Sequence, residues 1–324
     1  MSDLRVDEVG PESAETVRAV IHEGFGARKR LDPPTTALAE TTETVAAALA
    51  RHGGLLCRID GTPAGALIFE DLGGSIALRR VSVMPHLQSR GVATALVGVA
   101  EEVAALRGHD DVELLARVEL PLTVTFWERR GYVALSREGA SVRLSKALPV
   151  ELVLPRAQDT RALGEALATL VRQGDVLLLV GDLGAGKTTL TQGLGSGLQV
   201  RGDVTSPTFV ISTVHPSLVG GPALVHVDAY RLGDEAELDD LDLDAYVDDA
   251  VTVVEWGEGI AEALSASRLR VHLSRPHGDE HADESRTALV TPVGARWVGT
   301  AVRSTLLAAV SGVGIVAVDG RDSA

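Results

Sequence analysis

A glycine-rich segment in the second half of the chain, residues 181–188, has the spacing of a phosphate-binding loop. It reads Gly-Asp-Leu-Gly-Ala-Gly-Lys-Thr and fits G-x-x-x-x-G-K-[ST], in which backbone N–H groups surround phosphate oxygens. The apolar run 176–180 predicts a buried strand before the loop, and residues 189–198 predict a helix after it. This order supports the motif, because a helix N-terminus attracts anions. Lys187 is expected to neutralise the β- and γ-phosphates of a nucleotide, and Thr188 to offer its hydroxyl to Mg²⁺.

Two acidic residues follow apolar strands farther along the chain. Asp228 lies in the strand predicted over residues 224–232, and Glu255 follows the apolar run 250–254. Ligands bind at the carboxyl ends of strands in open α/β sheets, and an acid beside a phosphate-binding loop is the usual partner of Mg²⁺. Asp228 is therefore predicted to hold Mg²⁺, and Glu255 to hold the metal or orient water. The alternatives are a turn aspartate for Asp228 and a purely structural role for the neighbouring Trp256.

Two further segments of this half have open interpretations. Ser206-Pro207-Thr208 places hydroxyl groups near the expected γ-phosphate, which is typical of a loop that senses phosphate or metal, but also of an ordinary turn. Residues 234–249 are densely acidic with interleaved leucines, and we interpret them as a helix with a solvated face.

The first half contains a second predicted anion-binding turn. A strand over residues 75–83 leads through Gly91 into a helix over residues 93–106. Backbone N–H groups at such a helix start bind anions.

The remaining hydrophobic patterns predict an α/β chain with many short elements. The dipeptide Asp60-Gly61 predicts a hairpin turn, and Asp159 or Thr160 is expected to cap a helix. The charged loop 276–284 is predicted to join two paired strands, and residues 297–318 are predicted to form a tail helix and apolar run. The other predicted strands cover 4–9, 54–59, 63–69, 111–117, parts of 132–144, 151–154, 268–274 and 287–292, and the other predicted helices cover 13–25, 41–50, 122–130 and 161–172.

Composition limits the classes of function. A length of 324 residues predicts about two domains. The formal charge of −15 is uneven, since residues 1–148 carry 17 Lys and Arg against 20 Asp and Glu, whereas the remainder carries 13 against 25. An acidic second half argues against a broad nucleic-acid groove of its own. The single Cys57 excludes an intramolecular disulfide, and we expect a soluble cytoplasmic protein with no membrane span.

The motifs of the second half together resemble the TsaE family, the small P-loop ATPases of bacterial threonylcarbamoyladenosine tRNA modification. The resemblance covers about residues 150–294 through the loop, the Ser206-Pro207-Thr208 segment, His226-x-Asp228-x-Tyr230-Arg231-Leu232 and Val254-Glu255-Trp256. It implies that this half binds ATP and Mg²⁺ and hydrolyses ATP weakly. This hydrolysis would support the TsaB and TsaD partners, which modify adenosine 37 of tRNA, and contact with tRNA would be indirect, through that complex. The implied residues are Lys187, Asp228 and Glu255 for catalysis, Thr188, Asp228 and Glu255 for the metal, and Gly181, Gly184, Ala185, Gly186, Lys187, Thr188, Thr189, Thr208 and Trp256 for ATP.

Most of residues 1–147 resembles the GNAT acetyltransferase family. Gln88-x-x-Gly91-x-Ala93 is similar to its pyrophosphate loop, and residues 126–132, Phe-Trp-Glu-Arg-Arg-Gly-Tyr, are similar to a late segment of the family. The resemblance implies an N-acetyltransferase with an acceptor amine of unknown identity. The implied acetyl-coenzyme A residues are Val83, Gly91, Val92, Ala93 and Thr94.

This half also departs from the GNAT pattern. Trp127 stands where many members have a tyrosine acid, and Glu119 stands where an asparagine is common. Glu70 and Glu119 are candidate bases, although a single glutamate is more often a solvated surface group.

These observations lead to three hypotheses about the whole chain. The leading one is a bifunctional protein with a GNAT α/β domain at 1–147, a P-loop NTPase α/β domain at 148–294 and a tail of unassigned role at 295–324. The second is a small-molecule kinase, which would require an Arg-rich lid where residues 234–249 are acidic. The third is an ATPase joined to a catalytically inactive acetyltransferase-like domain that docks a partner.

Overall fold

Each half of the chain builds its own seven-stranded sheet, and the division between the two units falls between Lys146 and Ala147. The computed structural model describes residues 3–207, 211–231, 248–259, 261–275 and 285–310. Within those ranges, no helix has the length and apolar character required to cross a membrane. Both sheets are combined with helices, so the α/β fold class predicted for each half is confirmed.

The first unit carries its helices on a sheet of strand order β1-β2-β3-β4-β5-β7-β6, in which β4 and β5 are parallel. Apolar side chains of the first two helices, including Ile21 and Leu49, pack on the inner residues Leu56 and Ile68 of the sheet. The elements are β1 (Leu4–Val9), α1 (Ala14–Gly26), α2 (Thr42–His52), β2 (Gly54–Ile59), β3 (Thr62–Asp71), β4 (Ser75–Val83), α3 (Val92–Leu106), β5 (Asp111–Arg117), α4 (Pro121–Glu128), β6 (Val133–Glu138) and β7 (Ser141–Ala147).

The helices and strands predicted for this half are present, with ends shifted by a few residues. The predicted hairpin is confirmed, because Ile59 pairs with Thr62 across the turn at Asp60-Gly61. α2 begins with a capping box, in which Thr41 and Thr44 each accept a hydrogen bond from the other's backbone N–H.

The second unit places four parallel strands at the centre of its sheet. The strand order is β10-β11-β12-β9-β13-β14-β8, and β11, β12, β9 and β13 run parallel. The elements are β8 (Val150–Leu154), α5 (Ala157–Ala168), β9 (Val176–Val180), α6 (Lys187–Gly197), β10 (Ser212–His215), β11 (Ala223–Asp228), β12 (Ala250–Glu255), β13 (Arg268–Ser274), β14 (Arg286–Val293) and α7 (Val302–Ala309).

The sequences of the central strands explain their position. All five residues of β9 are apolar and all six residues of β12 are buried, as expected for strands covered on both faces. Because the four central strands are parallel, their carboxyl ends meet at one edge, where β9 leads into the glycine-rich loop.

Helix α6 is held close to α5 by small residues. A Cβ atom added at Gly193 would lie 2.0 Å from the carbonyl oxygen of Arg161, so a larger residue would force the two helices apart. This close approach fixes the helix whose first residue is Lys187.

Two predicted elements of this half need correction, and one strand was missed. The helix predicted over 161–172 runs over Ala157–Ala168, because Asp159 is its third residue and accepts a hydrogen bond from the backbone N–H of Arg156 instead of occupying the cap position. The strand predicted over 224–232 ends at Asp228, where a short 3-10 turn begins. Strand β10 was not predicted.

The segment after β14 contributes to the core of the second unit. Trp297, Val302 and Leu306 are buried in the same apolar cluster as the strands. The predicted pairing of the last two strands is confirmed, since β13 and β14 are antiparallel neighbours. The loop 276–284, most of the acidic segment 234–249 and the end of the apolar tail lie outside the described residues.

Candidate functional site

Lys187 lies at the carboxyl edge of the second sheet with most of its side chain buried. Its Nζ donates hydrogen bonds to the carbonyl oxygens of Gly181 at 2.7 Å and Asp182 at 3.0 Å. The same atom lies 3.6 Å from the centre of a Trp256 ring. Burial lowers the pKa of Lys187, and the nearby carboxylates, Glu255 first, oppose that shift. The loop therefore holds a partly desolvated cation at the edge where ligands bind in such sheets.

The loop before Lys187 has the backbone conformation that its glycines predict. Gly184 and Gly186 have φ angles of +76° and +109°, and Gly186 is the residue that precedes α6. The first N–H groups of α6 have no partner within the helix, and the helix dipole adds positive potential at the same point. Together they form a cradle suited to phosphate oxygens.

Two carboxylates meet this cradle from adjacent strands. Asp228 and Glu255 are the last residues of β11 and β12 and occupy the same register position in that parallel pair. The hydroxyl of Thr188 donates a hydrogen bond of 3.3 Å to Oε2 of Glu255. The structure thus brings Lys187, Thr188, Asp228 and Glu255 to one edge of the sheet.

His226 is a site residue to which the sequence reasoning assigned no role. Its ring is fully buried, and its Nε2 lies 2.9 Å from Oε1 of Glu255. Glu255 therefore has one oxygen against His226 and the other against Thr188. The signal in the sequence was the spacing of His226 and Asp228, because alternate residues of a strand share a face.

Asp228 is also held in place by its neighbours. Oδ2 accepts a hydrogen bond of 3.2 Å from the hydroxyl of Ser206, and Oδ1 accepts one of 3.1 Å from the backbone N–H of Tyr230. The Ser206 segment predicted to sense phosphate thus contacts the predicted magnesium ligand. Thr208 of that segment lies outside the described residues.

Trp256 completes the edge of the site next to Lys187. Its φ angle of +63° places it in the left-handed region, and its ring makes an edge contact with Tyr230, with 5.4 Å between the ring centroids. Ala185 is buried, and Thr188 and Thr189 are partly exposed in the first turn of α6. The roles assigned to these residues stay predictions.

The oxygen donors at this edge fit Mg²⁺. Hydroxyl and carboxylate oxygens from Thr188, Asp228 and Glu255 are the ligand types that this ion prefers. In the described part of the chain, no group of three or more His, Cys, Asp or Glu side chains is arranged to hold a metal by itself. Magnesium sites commonly combine one or two carboxylates with phosphates of the substrate.

A separate cleft in the first unit opens between strands β4 and β5. These strands pair at three positions, Ser75 to Ala77 with Asp111 to Glu113, and both continue beyond them. Arg80 has a φ of +56° at a bulge of β4, which bends the strand. The resulting β4–β5 cleft has a volume of about 1700 Å³ and is lined by residues of both strands.

The residues predicted to bind acetyl-coenzyme A share this cleft. Gly91 has a φ of +80° and precedes α3, whose first N–H groups have no partner within the helix and suit an anion. Arg130 was not predicted; it donates a hydrogen bond to Thr94, and its guanidinium carbon lies 3.8 Å from the centre of the Phe126 ring. The predicted residues lining the cleft are Val83, Gly91, Val92, Ala93 and Thr94.

The candidate acid and base positions of this half have well-defined partners. Trp127 lines the cleft but is buried, and its ring makes an edge contact with Tyr132, with 5.0 Å between the ring centroids. Glu70 is paired with Arg79. Glu119 accepts two hydrogen bonds from Arg117, which lower the pKa of Glu119 to about 2. A carboxylate of such low basicity is a weak proton acceptor.

Comparison with known proteins places the second half of the chain in a family. The model of the family described as threonylcarbamoyl adenosine biosynthesis protein TsaE matches residues 154–285. The tRNA threonylcarbamoyladenosine biosynthesis protein TsaE of Streptomyces coelicolor is 62% identical over 138 residues, which cover 42% of this chain and 93% of that relative. The chain belongs to the TsaE family. Its predicted loop, Asp228 and Glu255 all lie within the matched residues.

Other TsaE proteins show the same pattern of coverage. The relative of Mycobacterium tuberculosis is 52% identical, with 39% of this chain and 80% of the relative covered. That of Bacillus subtilis is 41% identical, with coverages of 43% and 84%. A crystal structure of Bacillus YdiB is 32% identical and covers 50% of this chain and 94% of its own, with a TM-score of 0.38. The TsaE relatives thus align with less than half of this chain, and most of each relative is covered.

The first half matches a different family. The model of the GNAT acetyltransferase family matches residues 24–132, which confirms the predicted resemblance. The PaiA N-acetyltransferase of Thermoplasma acidophilum, solved with coenzyme A, is 15% identical and covers 45% of this chain and 99% of its own, with a TM-score of 0.41. One chain thus contains both a segment that matches the TsaE model and a segment that matches the GNAT model.

Proposed function

We propose that the second unit binds ATP with Mg²⁺ and hydrolyses it in support of threonylcarbamoylation of adenosine 37 in tRNA, together with TsaB and TsaD. The observation that carries this proposal is the meeting of Lys187 and Thr188 with Asp228 and Glu255 at one sheet edge. Membership of the TsaE family supports the proposed pathway, and the geometry of these four residues supports the proposed site.

In this proposal the loop binds the nucleotide through its phosphates. The N–H groups that begin α6 donate hydrogen bonds to the phosphate oxygens, and Gly184 and Gly186 give the loop the positive φ angles that it needs. Lys187 exchanges its hydrogen bonds to the Gly181 and Asp182 carbonyls for bonds to phosphate oxygens. The gain in binding free energy is large because the Lys187 cation is already partly desolvated.

The carboxylates act on the metal and the attacking water. Mg²⁺ supplies positive charge to the phosphates, and Thr188 and Asp228 are the residues that would hold it. Glu255 is oriented by His226 and Thr188, so its carboxylate keeps a fixed direction from which it can position water. Ser206 links the adjacent loop to Asp228 and thereby couples that loop to the metal ligand.

The test of this proposal is reconstitution of tRNA modification. Purified TsaB, TsaD, tRNA and a threonylcarbamoyl donor are incubated with this protein, without it, or with its Lys187→Ala variant. We expect many modified adenosines per TsaD only with the unaltered protein and ATP. Equal modification over many turnovers in all three reactions would refute the role.

For the first unit we propose an acetyl-coenzyme A-dependent N-acetyltransferase. The proposal is supported by the match to the GNAT family and by the cleft in which Val83 and the Gly91 turn lie together. Acetyl-coenzyme A supplies an activated acetyl group as a thioester. The N–H groups at the start of α3 and Arg130 are placed to hold its phosphates.

Acetyl transfer distinguishes this proposal from a docking domain. The buried Trp127 provides no acid, so transfer has to proceed without a side-chain acid at that position. We expect coenzyme A release from acetyl-coenzyme A when a suitable amine is added. Coenzyme binding without turnover on a broad amine panel would favour the docking alternative.

A further inference from the structure

The β4–β5 cleft has a basic lining in an acidic protein. The cleft is lined by seven Arg and Lys residues and by three Glu residues, although the whole chain has a formal charge of −15. Each of the three glutamates is paired with one arginine of the lining, which leaves an excess of positive charge. The pairs are Glu40 with Arg80, Glu70 with Arg79 and Glu119 with Arg117.

Arg28 is the best placed of the remaining cations. Its Nη2 donates a hydrogen bond of 3.2 Å to the carbonyl oxygen of Val81, and its guanidinium carbon lies 3.8 Å from the centre of the Phe25 ring. Among the described residues, no carboxylate lies within salt-bridge distance of it. Burial lowers the pKa of Arg28, so the group is a partly desolvated cation whose remaining donors suit an anion.

The position of Arg28 separates it from the predicted phosphate site. Val81 lies two residues before Val83 in β4, so it is about 7 Å farther along the strand from the Gly91 turn. The end of α1 packs directly on this part of the strand, since a Cβ atom added at Gly24 would lie 3.1 Å from the carbonyl oxygen of Val83. Arg28 is thus beside the end of β4 that carries Val83, a predicted acetyl-coenzyme A residue, and on the side away from the Gly91 turn.

We propose that the acetyl acceptor is an amine whose molecule also carries a carboxylate, and that Arg28 binds this carboxylate. A guanidinium binds a carboxylate through two parallel hydrogen bonds, which fixes the orientation of the acceptor as well as its affinity. This inference rests on the acetyltransferase function proposed above and names its class of substrate. Free amino acids and peptides with an acidic residue are the two sources of this chemistry.

The experiment compares acceptors that differ only in the carboxylate. Free amino acids are paired with their α-amides, and the peptide Gly-Glu-amide is paired with Gly-Gln-amide. Each pair is assayed for acetyl transfer, and for binding by calorimetry in the presence of coenzyme A. The full chain is used as wild type, Arg28→Gln and Arg30→Gln. Arg30 is the matched control because it is exposed and does not line the cleft.

We expect the acid of at least one pair to have a KM at least 10-fold below that of its amide. Arg28→Gln should remove this difference by raising the KM for the acid, with little change for the amide, and Arg30→Gln should preserve it. The pair that shows the preference identifies the source as a free amino acid or an acidic peptide.

The outcomes separate this inference from the proposed acetyltransferase activity. Transfer at equal KM to acids and amides, or a preference that survives in Arg28→Gln, would overturn the inference and leave the activity standing. Binding of acids that depends on Arg28, without transfer to any amine, would support the contact between Arg28 and a carboxylate but refute the acetyltransferase activity and, with it, the assignment of the acid as acetyl acceptor. If acids and amides bind equally and no transfer occurs, both fail.

Discussion

The ring of His226 and the carboxylate of Glu255 form a buried contact, with 2.9 Å between Nε2 and Oε1. Both side chains are almost fully excluded from solvent. Because Oε2 of Glu255 faces Thr188, the histidine determines which oxygen faces the glycine-rich loop. His226 is therefore a positioning residue for the predicted water-orienting carboxylate.

The first prediction concerns this contact. His226→Ala should lower kcat for ATP hydrolysis by about 10- to 100-fold, the usual effect of removing a group that orients a metal-site ligand. KM for ATP should change much less, because the loop and Lys187 are untouched. Steady-state phosphate release measures both constants. His215→Ala is the matched control, since His215 is also buried in this sheet but faces the carbonyl of Arg201. Equal kcat values for the two variants would contradict the role of His226.

Much of the fold followed from local patterns in the sequence. β9 and β12 were predictable because all residues of β9, and the five residues of β12 before Glu255, are apolar or small. The β2–β3 hairpin was predictable because Asp60-Gly61 suits its turn. β10 was not predictable. Its four residues, which include the exposed Val214, show no apolar alternation, and the strand is ordered by pairing with β11. The start of α5 was misplaced because an aspartate at the third helical position also resembles a cap.

Residues of the candidate site were predictable where the residue type and its place in a motif together indicate one chemical role. Lys187, Thr188, Asp228 and Glu255 were identified from the loop and the strand ends. His226 and Arg130 were missed because their roles depend on partners distant in sequence, Glu255 and Thr94, that only the folded chain brings near. The spacing of His226 and Asp228 puts both residues on one face of the strand, but this pattern alone does not separate a core histidine from a positioning one.

The second prediction concerns the loop lysine. Lys187→Ala should weaken ATP binding by about 2 to 3 kcal/mol, on the order of 100-fold, because a charge-assisted hydrogen bond to phosphate is lost. Titration calorimetry with ATP measures the Kd. Lys146→Ala is the control, since Lys146 pairs with Glu101 in the other unit. ATP binding in Lys187→Ala as tight as in Lys146→Ala would exclude a phosphate contact.

The third prediction separates binding from hydrolysis. Asp228→Ala should leave ATP affinity within a few fold of wild type but remove Mg²⁺-dependent hydrolysis, because the carboxylate is predicted to hold the metal and not the phosphates. Phosphate release is measured over a range of Mg²⁺ concentrations. Asp228→Asn keeps one acceptor oxygen for the backbone N–H of Tyr230 and replaces the oxygen that faces Ser206 with an amide NH₂, so it tests whether the charge itself is needed. Undiminished hydrolysis in the alanine variant would refute the metal role.

The fourth prediction concerns the segment after β14. Arg296 and Asp175 form a bidentate pair of 2.8 and 3.0 Å, and their side chains are 13% and 5% exposed. Asp175→Ala should lower the free energy of unfolding by about 3 to 5 kcal/mol, because the buried guanidinium loses its counter-charge. Urea unfolding measures it. Glu258→Ala breaks an exposed pair with Arg270 and should cost below about 1 kcal/mol. Equal losses in the two variants would show that the buried pair does not secure this segment.

The fifth prediction concerns the pH dependence of the first unit. The pKa of Glu119 is about 2 against an ordinary 4.5, chiefly because Arg117 donates hydrogen bonds to its carboxylate. A lowered folded-state pKa means that the pair stabilises the fold fully above pH 4.5 and loses this effect as the pH falls toward 2. Glu119→Gln should therefore be less stable than wild type at pH 7, and the difference should shrink at pH 3. Urea unfolding at both pH values measures it.

The same variant tests whether Glu119 is the base of acetyl transfer. A carboxylate that stays ionised from pH 5 to 9 produces no acidic limb in that range, so Glu119→Gln should leave the pH profile of kcat/KM unchanged in shape. Arg117 also donates hydrogen bonds to the carbonyls of Asp32 and Pro33, so a modest rise in KM is expected if that loop shifts. Loss of an acidic limb in the variant would contradict the low pKa and restore Glu119 as a base. Arg79→Gln is the matched comparison. It removes the salt-bridge partner of Glu70, the other candidate base, and that pair also lines the cleft.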